Sequence, residues 1–597
     1  MKKIINKFKK IIEALPSHRK SQFWIILCGM ICLSVLETIV LCCIAFFASV
    51  VSDIEKVRQS EYLNFVIDIF DWHWLADSTN LVIFTSILVV ILVNIKNITQ
   101  GIVNYWSIRF SSLIEGLFAG NLLSGFIDMP YEWHLSQNSA DLILITANWR
   151  GYIGRRFVSN LLQIIADSLM VSIMLITLLV VQPLVSLIVI TILGATSFFL
   201  FTSLRKKLDH VALMNSDFDQ SINKQATKII HGYKDVKISG KQDLFINQYT
   251  KSLYLVSKSY GYQQVIAKLP TWLLESVGFF MISFAICFML FALNYSVARV
   301  SGTITLLAVT AWRVLPALNR ILTYLATIRS TFPYVDKILN YYKDVQLNTI
   351  RNTSLSLSSE KEIAFKNTIR FESISFSYHN SQKYALHNIN LTIRKGDVIG
   401  IIGASGAGKS TFIDLLTGLL LPSHGTIYID DNVLDNVFSR SKWITRLGYV
   451  PQTPYIFDGT IAENVAFEND KNNINTDLVL KCCHMSAMDD FLKDLPSGIN
   501  SYIGERGIRL SGGQRQRISI ARTLYQKPEL ILFDEATSAL DNENEKAIIN
   551  TIFSLRGKQT MIIIAHRLST VELCDVIYEF ERGQLVNMGT PKEILNF

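Results

Sequence analysis

Six long apolar stretches constrain the fold of this 597-residue chain more than any other feature. A helix needs about 20 mostly apolar residues to cross a bilayer, because the hydrocarbon core is about 30 Å thick. Stretches of this kind lie near residues 22–51, 80–106, 157–181, 184–204, 268–294 and 300–333. Hydrophobic residues make up 50% of the chain and charged residues only 18%, which is typical of membrane spans joined to a soluble part. We predict an all-α transmembrane domain with six spans over residues 1–342.

The charges that flank the first stretch predict its orientation. Residues 1–21 contain seven Lys and Arg residues but a single acid, Glu13. Because cytoplasmic flanks of spans are rich in Lys and Arg, we expect a cytoplasmic N-terminus. The expected location is the cell inner membrane, as a multi-pass protein. A secretory signal is a poor alternative, since the apolar run is too long and lacks a cleavage-type end. The net charge of +8 needs no nucleic-acid partner, because the excess lies at the membrane edge.

The connections between the predicted spans are short on one side and long on the other. Little more than Gln182-Pro183 separates the third and fourth spans, and a few residues around Tyr295 join the fifth and sixth. The inner connections, about 107–156 and 205–267, are long and polar. Because they contain few Gly or Pro residues, we expect the spans to continue as helices into the cytoplasm rather than end in disordered loops.

A second pattern begins near Ile369, where short β-branched runs alternate with helical segments. Buried parallel strands have this pattern. We therefore predict an α/β domain over residues 365–597, after a linker at 343–364. The predicted fold is thus an all-α membrane domain followed by an α/β domain.

The segment 403–410, Gly-Ala-Ser-Gly-Ala-Gly-Lys-Ser, follows the apolar run Val398–Ile402 and predicts a phosphate-binding P-loop. Its glycines leave backbone N–H groups open to phosphate, Lys409 can reach the β/γ-phosphates, and Ser410 can bind a magnesium ion. We therefore expect ATP and Mg²⁺ as cofactors. The nucleotide-binding residues predicted in this segment are Gly403, Ala404, Ser405, Gly406, Ala407, Gly408, Lys409, Ser410 and Thr411.

Two adjacent carboxylates end the apolar run Leu530–Phe533. ATP hydrolysis needs positioning, magnesium and a group that orients the attacking water, and little covalent help from the protein. Asp534 is the predicted metal-side carboxylate, directly or through water, and Glu535 is the predicted general base. A carboxylate at position 535 favours a site that turns over ATP.

With Leu-Ser-Gly-Gly-Gln at 510–514 and Leu-Ile-Leu-Phe-Asp-Glu at 530–535, the P-loop makes the chain resemble ABC transporters. Short outer and long inner connections likewise resemble the ABC exporter fold. The resemblance implies coupling helices near 132–142 and 220–232, and a loop at 504–507 that touches such helices. It also implies that the signature motif of a second chain closes each P-loop. Because one chain carries one motif of each kind, we expect a homodimer.

The resemblance implies functions for further residues. Gln452 would contact magnesium and sense the inner loops, and His566 would contact the γ-phosphate, so both join Glu535 as catalytic residues. Tyr378 would stack on adenine, and Asp541 would communicate across the dimer. The signature residues expected to cap the partner's nucleotide are Ser511, Gly512, Gly513 and Gln514. Taken singly, such residues also fit a strand aromatic, a helix cap or a turn; their order and spacing favour the catalytic interpretation.

Charged residues inside the predicted spans bear on the substrate. Counted at about 1.5 Å per residue, they fall in three pairs of similar depth: Glu37 with Arg313, Asp167 with Lys96, and Glu275 with Arg320. One interpretation is that all of them form ion pairs that hold the bundle together. The other is that Arg313 and Arg320, seven residues apart on one helical face, bind phosphate oxygens of the substrate.

The segment Arg313–Ile321, with Leu-Glu-Thr at 36–38 and Leu-Glu-Ser at 274–276, is similar to bacterial lipid-linked oligosaccharide flippases of the PglK type. This resemblance implies transport of an undecaprenyl-pyrophosphate-linked glycan from the inner to the outer leaflet. A multidrug, lipid or peptide exporter would share every ATPase residue and stays an alternative. A membrane-anchored regulatory ATPase is less favoured, because it would tolerate loss of Glu535 or of the signature.

Overall fold

The computed structural model describes residues 2–52, 54–58, 71–181, 183–291, 297–356, 364–378, 381, 383–435, 437–504, 507–536, 542–557, 559–565 and 568–595. The chain divides into two compact units: Met1–Ile127 with Gln137–Gln346, and Asp128–Ser136 with Leu347–Phe597. The first unit is helical and the second is α/β, which confirms the predicted fold class. The segment 128–136 of the first inner connection belongs to the α/β unit.

Long helices build the first unit. The helices from the N-terminus to the end of this part of the chain are α1 (Lys2–Glu13), α2 (Ser17–Ser52), α3 (Ile54–Arg58), α4 (Ser78–Ile127), α5 (Tyr131–Ser136, in the α/β unit), α6 (Ser139–Ile143), α7 (Ser159–Val181), α8 (Pro183–His231), α9 (Tyr233–Ile238), α10 (Gln242–Phe291) and α11 (Val297–Ser356). Two π-helical segments, Leu144–Asn148 and Tyr152–Val158, precede α7. A Cβ on Gly154 would lie 2.3 Å from the Ser111 carbonyl oxygen, so glycine lets this segment pack closely against α4.

Several of these helices are long and apolar enough to cross a membrane. Within the described residues, four segments meet both conditions: Ser17–Val51, Ser78–Ile127, Tyr152–Val180 and Ser186–His231. They cover the first four predicted spans to within two residues. The fifth and sixth, 268–294 and 300–333, fall on α10 and α11, and residues 292–294 lie outside the described part. Because α4 and α8 run on to Ile127 and His231, the expected continuation of spans into the inner connections is confirmed.

The inner connections differ from the prediction in one respect. The short helices α5 and α6 fall close to the region 132–142, where the first coupling helix is expected. The predicted position of the second coupling helix, 220–232, is wrong. Those residues form the last turns of α8, and the short helix is α9, which begins after Gly232. No Gly or Pro occurs between 205 and 231, so nothing interrupts α8 before that glycine. The predicted linker 343–364 is helical as far as Ser356.

Strands alternate with short helices in the α/β unit. The strands are β1 (Thr368–Phe376), β2 (Leu386–Arg394), β3 (Val398–Ile402), β4 (His424–Ile429), β5 (Asn432–Val433), β6 (Leu447–Val450), β7 (Leu530–Asp534), β8 (Thr560–Ile564), β9 (Val576–Glu581) and β10 (Gln584–Gly589). The helices are α12 (Lys409–Leu416), α13 (Val437–Ile444), α14 (Ile461–Ala466), α15 (Thr476–Met485), α16 (Asp489–Lys493), α17 (Gly512–Tyr525), α18 (Asn542–Phe553), α19 (Leu568–Val571) and α20 (Pro591–Ile594).

The strands of the described residues pair into two sheets, in the orders β2-β1-β4-β5 and β10-β9-β3-β8-β7-β6. Strands β3, β6, β7, β8 and β9 are parallel, and most of their apolar residues are buried without alternation because both faces of the sheet are covered. In this register Ile401 and Asp534 both pair with Ile564. The loop after β3 and the carboxylates after β7 therefore leave the sheet at the same edge, where open parallel sheets bind ligands.

Candidate functional site

The predicted P-loop connects β3 to α12. Gly403, Gly406 and Gly408 have φ angles of 148°, 80° and 103°. A Cβ on Gly403 would lie 2.2 Å from the Phe580 carbonyl oxygen, so only glycine fits that position. Lys409 is 7% exposed, and its Nζ donates to the carbonyl oxygens of Gly403 (2.6 Å) and Ala404 (3.0 Å). The loop thus folds around the ammonium group that the sequence assigns to the phosphates.

The predicted metal-side carboxylate and the predicted general base each accept a hydrogen bond from the neighbouring strand or the turn after it. Tyr449 in β6 donates its hydroxyl to Oδ2 of Asp534 at 3.0 Å. Gln452, just beyond β6, donates Nε2 to Oε2 of Glu535 at 2.6 Å. These contacts follow from the register, since β6 and β7 are parallel and Val450 pairs with Phe533. Glu535 has a φ of 49°, a backbone conformation that non-glycine residues adopt rarely and that concentrates at functional sites.

Burial and a neighbouring carboxylate raise the pKa of two acids at this edge of the sheet, Asp534 and Asp414. Burial raises the pKa of Asp534, as does the Glu535 carboxylate, while Tyr449 and Lys409 oppose the shift. Burial raises the pKa of Asp414 in α12 to about 6, and the negative charge of Asp534 makes a smaller contribution to this shift. Clustered carboxylates with nearby hydroxyl and amide oxygens are the donors that Mg²⁺ prefers. The predicted ligands Ser410, Gln452 and Asp534 therefore fit a magnesium ion by their chemistry.

Two tyrosines lie beside this cluster. Tyr378, the predicted adenine platform, is half-buried, and its hydroxyl lies 3.1 Å from Oγ1 of Thr411. Tyr131 in α5 packs against the same apolar core as Tyr378. Burial raises the pKa of Tyr131, and the nearby Asp414 and Tyr378 add to the shift. The short helix α5 of the first inner connection therefore contacts the α/β unit beside the predicted nucleotide site.

The predicted signature residues form the N-terminus of α17. Ser511 is the N-cap, and its Oγ accepts a hydrogen bond from the backbone N of Gln514 at 3.2 Å. The Gln514 side chain accepts in return from the Ser511 backbone N at 2.8 Å, which completes a capping box. Gly512 and Gly513 form the first turn. A helix N-terminus without bulky side chains is suited to bind an anion.

Two predicted site residues, Asp541 and His566, lie outside the described residues. Conversely, the structure places Tyr449, Asp414 and Tyr131 beside the predicted carboxylates, and the sequence reasoning missed all three. Tyr449 could have been noticed as a polar aromatic residue in an apolar strand, three positions before Gln452. Asp414 is an acid on a helix whose other residues are mostly buried. Tyr131 carries no comparable local signal.

The helical unit contains a cavity of about 490 Å³, which we call the central cavity. Helices α2, α4, α7 and α11 line it. Both predicted substrate residues, Arg313 and Arg320, lie in its wall, together with Glu37 and Asp167. Amide and hydroxyl groups add to the lining, from Ser34, Gln100, Asn104, Gln163 and Tyr324.

Ion pairs connect most of the charged residues of this unit's spans. Arg313 donates to Glu37 at 3.0 Å, and this predicted pair is confirmed. Lys96 also pairs with Glu37, at 3.6 Å. Arg320 binds Asp167 through two hydrogen bonds of 2.8 and 3.0 Å.

The other two predicted pairs are wrong. Asp167 pairs with Arg320 rather than Lys96, and Glu275 is exposed without an ion pair in the described part of the chain. Depth along a helix does not specify which face a residue occupies, and the face decides the partner. Three cations thus share two carboxylates around the cavity.

Comparisons with known proteins agree with this geometry. Residues 386–538 match the family model described as ABC transporter. Multidrug resistance protein 1 of Entamoeba histolytica is 29% identical over 69% of this chain and 32% of its own length. The alpha-hemolysin translocation ATP-binding protein HlyB of Escherichia coli is 40% identical over 38% of this chain and 32% of its own length. The chain thus spans about a third of the length of these relatives.

Among solved structures, a bacterial Atm1-family ABC exporter with ATP bound superposes with a TM-score of 0.75 over 96% of both chains, at 21% identity. The TM-score shows that the two proteins share a fold over nearly the whole chain, and at this identity the likeness extends to the fold alone. Residues 386–538 therefore resemble the ABC transporter family, and the chain shares the fold of that exporter over nearly its whole length, with a helical unit before the α/β unit.

Proposed function

We propose that the chain is an ATP-driven exporter that works as a homodimer in the cell inner membrane, with its ATPase domain in the cytoplasm. The observation that carries the proposal is the arrangement of Asp534 and Glu535 at the P-loop edge of the sheet, each held by a hydrogen bond from Tyr449 or Gln452. A site with a positioned base, a metal-side carboxylate and a phosphate loop has the parts that ATP hydrolysis needs.

The residues of the site would divide the work as follows. Lys409 and the backbone of the P-loop would bind the β- and γ-phosphates, and Glu535 would accept the proton of the attacking water. Ser410, Gln452 and Asp534 would hold Mg²⁺, which neutralises phosphate charge when bound. The N-terminus of α17 would cap the γ-phosphate bound by a second copy of the chain. Two copies then bury two ATP molecules between them.

Replacing Glu535 by Gln tests the ATPase part of this proposal. ATP binding should persist, a closed dimer should accumulate, and turnover should fall by about 10²–10⁴-fold, because the water loses its base. Glu581→Gln, the same change at an exposed position of the same domain, should keep the parental rate. Parental turnover in Glu535→Gln would show that another residue activates the water.

We further propose that the cargo is a pyrophosphate-linked oligosaccharide lipid, moved from the inner to the outer leaflet. A surplus of positive charge supports this: Lys96, behind the wall of the central cavity, adds a third cation to the two acids and two arginines that line it. Glu37 already has Lys96 as a buried partner, so the charge of Arg313 is not needed to neutralise it. Side chains of Arg313 and Arg320 are 36% and 46% exposed, and a guanidinium fork fits phosphate oxygens.

A multidrug exporter is the alternative, and one relative bears the name Multidrug resistance protein 1. The two cargoes differ in charge, so Arg313→Gln in proteoliposomes separates them. For a pyrophosphate-linked cargo, loss of one charge-assisted hydrogen bond, worth about 1.5–3 kcal/mol, should lower transport per ATP hydrolysed by about tenfold or more. Arg109→Gln, an exposed arginine on α4 away from the cavity, is the matched control.

Unchanged transport of the pyrophosphate-linked lipid in Arg313→Gln would refute the phosphate-binding role. Transport of a neutral amphipathic compound, equal in parent and variant, would favour the multidrug alternative instead.

A further inference from the structure

A second cavity, of about 420 Å³, lies in the helical unit where α1 meets α8 and α11. We call it the basal cavity. It shares no lining residue with the central cavity. The charged residues that line it are Lys2, Lys3, Arg205, Asp209, Arg329 and Asp336.

Arg329 is a buried cation in the wall of the basal cavity, and its Nε is a hydrogen-bond donor without an acceptor among the described residues. It is 4% exposed, and its Nη1 donates to both carboxylate oxygens of Asp209, at 2.8 and 3.0 Å. Its guanidinium lies 5.1 Å from the ring centre of Phe201. Its Nε is buried and has no hydrogen-bond partner among the described residues. A buried unsatisfied donor is unfavourable, so an additional acceptor would be accommodated at this position.

The basal cavity carries an excess of positive charge. Both carboxylates already have cationic partners, because Asp336 pairs with Lys7 and Asp209 pairs with Arg329. Lys2, Lys3 and Arg205 are exposed and make no ion pair within the part of the chain that the structure describes. Free cations around a concave site with a spare arginine donor favour an anionic ligand.

The position of these residues along the chain indicates where the anion comes from. Arg205 directly follows the predicted span 184–204, and Arg329 is near the end of the span 300–333. Helix α1, which precedes the first span, buries Ile4 and Ile11 and exposes four of its five lysines, a pattern typical of helices at a membrane interface. All three elements therefore meet at the cytoplasmic surface of the bilayer, the level of the inner-leaflet headgroups.

We propose that the basal cavity binds the phosphate of an anionic phospholipid from the inner leaflet. Lys3 and Arg205 contact its phosphate oxygens, and Arg329 closes the site from inside. The acyl chains remain in the bilayer beside α8 and α11, which a free phosphate ion cannot imitate. The bound lipid holds α1 against the inner ends of these helices. This site is separate from the cargo and from the ATPase domain.

The test uses the purified full chain in detergent, titrated with dioleoyl-phosphatidylglycerol, dioleoyl-phosphatidylcholine or inorganic phosphate. Lipid retained per protein is measured by native mass spectrometry, and the thermal unfolding midpoint is measured in parallel. Phosphatidylglycerol should bind and raise the midpoint. Lys3→Gln combined with Arg205→Gln should weaken this binding by about tenfold or more, since two charge-assisted contacts are lost. Both positions are exposed and unpaired, so the variant should fold.

Lys206→Gln combined with Lys207→Gln is the matched control, because it removes the same charge from adjacent exposed positions of α8 outside the cavity. It should bind phosphatidylglycerol like the parent. If phosphatidylglycerol binding weakens equally in this control, the loss comes from general surface charge, and the proposal of a specific site is refuted. Equal binding of phosphatidylcholine would overturn the anionic ligand, and equal stabilisation by inorganic phosphate would overturn the lipid as its source.

A second variant tests the buried arginine without leaving Asp209 unpaired. Arg329→Gln combined with Asp209→Asn removes both charges and leaves two neutral amide side chains, of which the one at position 209 keeps its size. It should fold and lose phosphatidylglycerol binding. Parental affinity in a folded double variant would exclude Arg329 from the site.

Discussion

Glu37 pairs with two cations inside the helical unit, and Glu37→Gln tests how much this carboxylate stabilises the unit. Its side chain is 8% exposed and that of its partner Lys96 is 5% exposed, so neither charge is well solvated by water. Removing one partner of a buried pair destabilises a protein by about 3–5 kcal/mol, because the other charge stays buried without compensation. The side chain of Arg313, the other partner of Glu37, is 36% exposed. Loss of Glu37 therefore destabilises the charge of Arg313 less than that of Lys96.

We expect a loss of about 3 kcal/mol, the lower end of that range, because the cavity gives Arg313 some access to water. For a unit of this size the loss corresponds to a fall of roughly 4 °C in the unfolding midpoint. The assay is thermal unfolding of the full chain in detergent, followed by tryptophan fluorescence.

Glu275→Gln is the matched control, since the same substitution is made at an exposed and unpaired position of the same unit. It should change stability by less than about 0.5 kcal/mol. Glu37→Gln combined with Lys96→Met removes both buried charges and should recover most of the loss. The reasoning is refuted if Glu37→Gln unfolds at the parental temperature, or if the double variant is less stable than the single one.

Two further predictions concern the α/β unit and its partner copy. The pKa of Asp414, raised to about 6, lies above its ordinary value of 3.8, so the stability it contributes is complete below about pH 3.8 and lost as the pH rises through 6. Asp414→Asn should therefore be more stable than the parent at pH 7 by on the order of 1 kcal/mol after screening by solvent, and the difference should shrink toward pH 4 in thermal unfolding without nucleotide. Cysteines placed in α9 should crosslink to positions near Gln452 of the second copy, since Tyr233 and Ile238 are 64% and 75% exposed at the tip of the second inner connection. Crosslinks confined to one chain would contradict an exchange of this helix between copies.

Much of the α/β site is encoded locally and could be predicted from the sequence. The P-loop, the two carboxylates after β7 and the signature at α17 are short motifs, and each lies where a strand ends or a helix begins. Parallel strands bring the P-loop and the two carboxylates to one edge of the sheet, so their positions at strand ends already implied that they meet. The all-α and α/β halves followed from hydrophobic pattern alone, because burial on both faces and passage through a bilayer leave different patterns.

Only the tertiary structure decided which charges and side chains meet. Depth along the spans predicted Arg313 as the partner of Glu37, but the rotation of each helix made Asp167, not Glu275, the partner of Arg320. The register of β6 on β7 lets Tyr449 donate a hydrogen bond to Asp534, although the two residues are 85 positions apart in the chain. Spacing along a chain determines local geometry, whereas contacts across elements depend on packing that no single segment encodes.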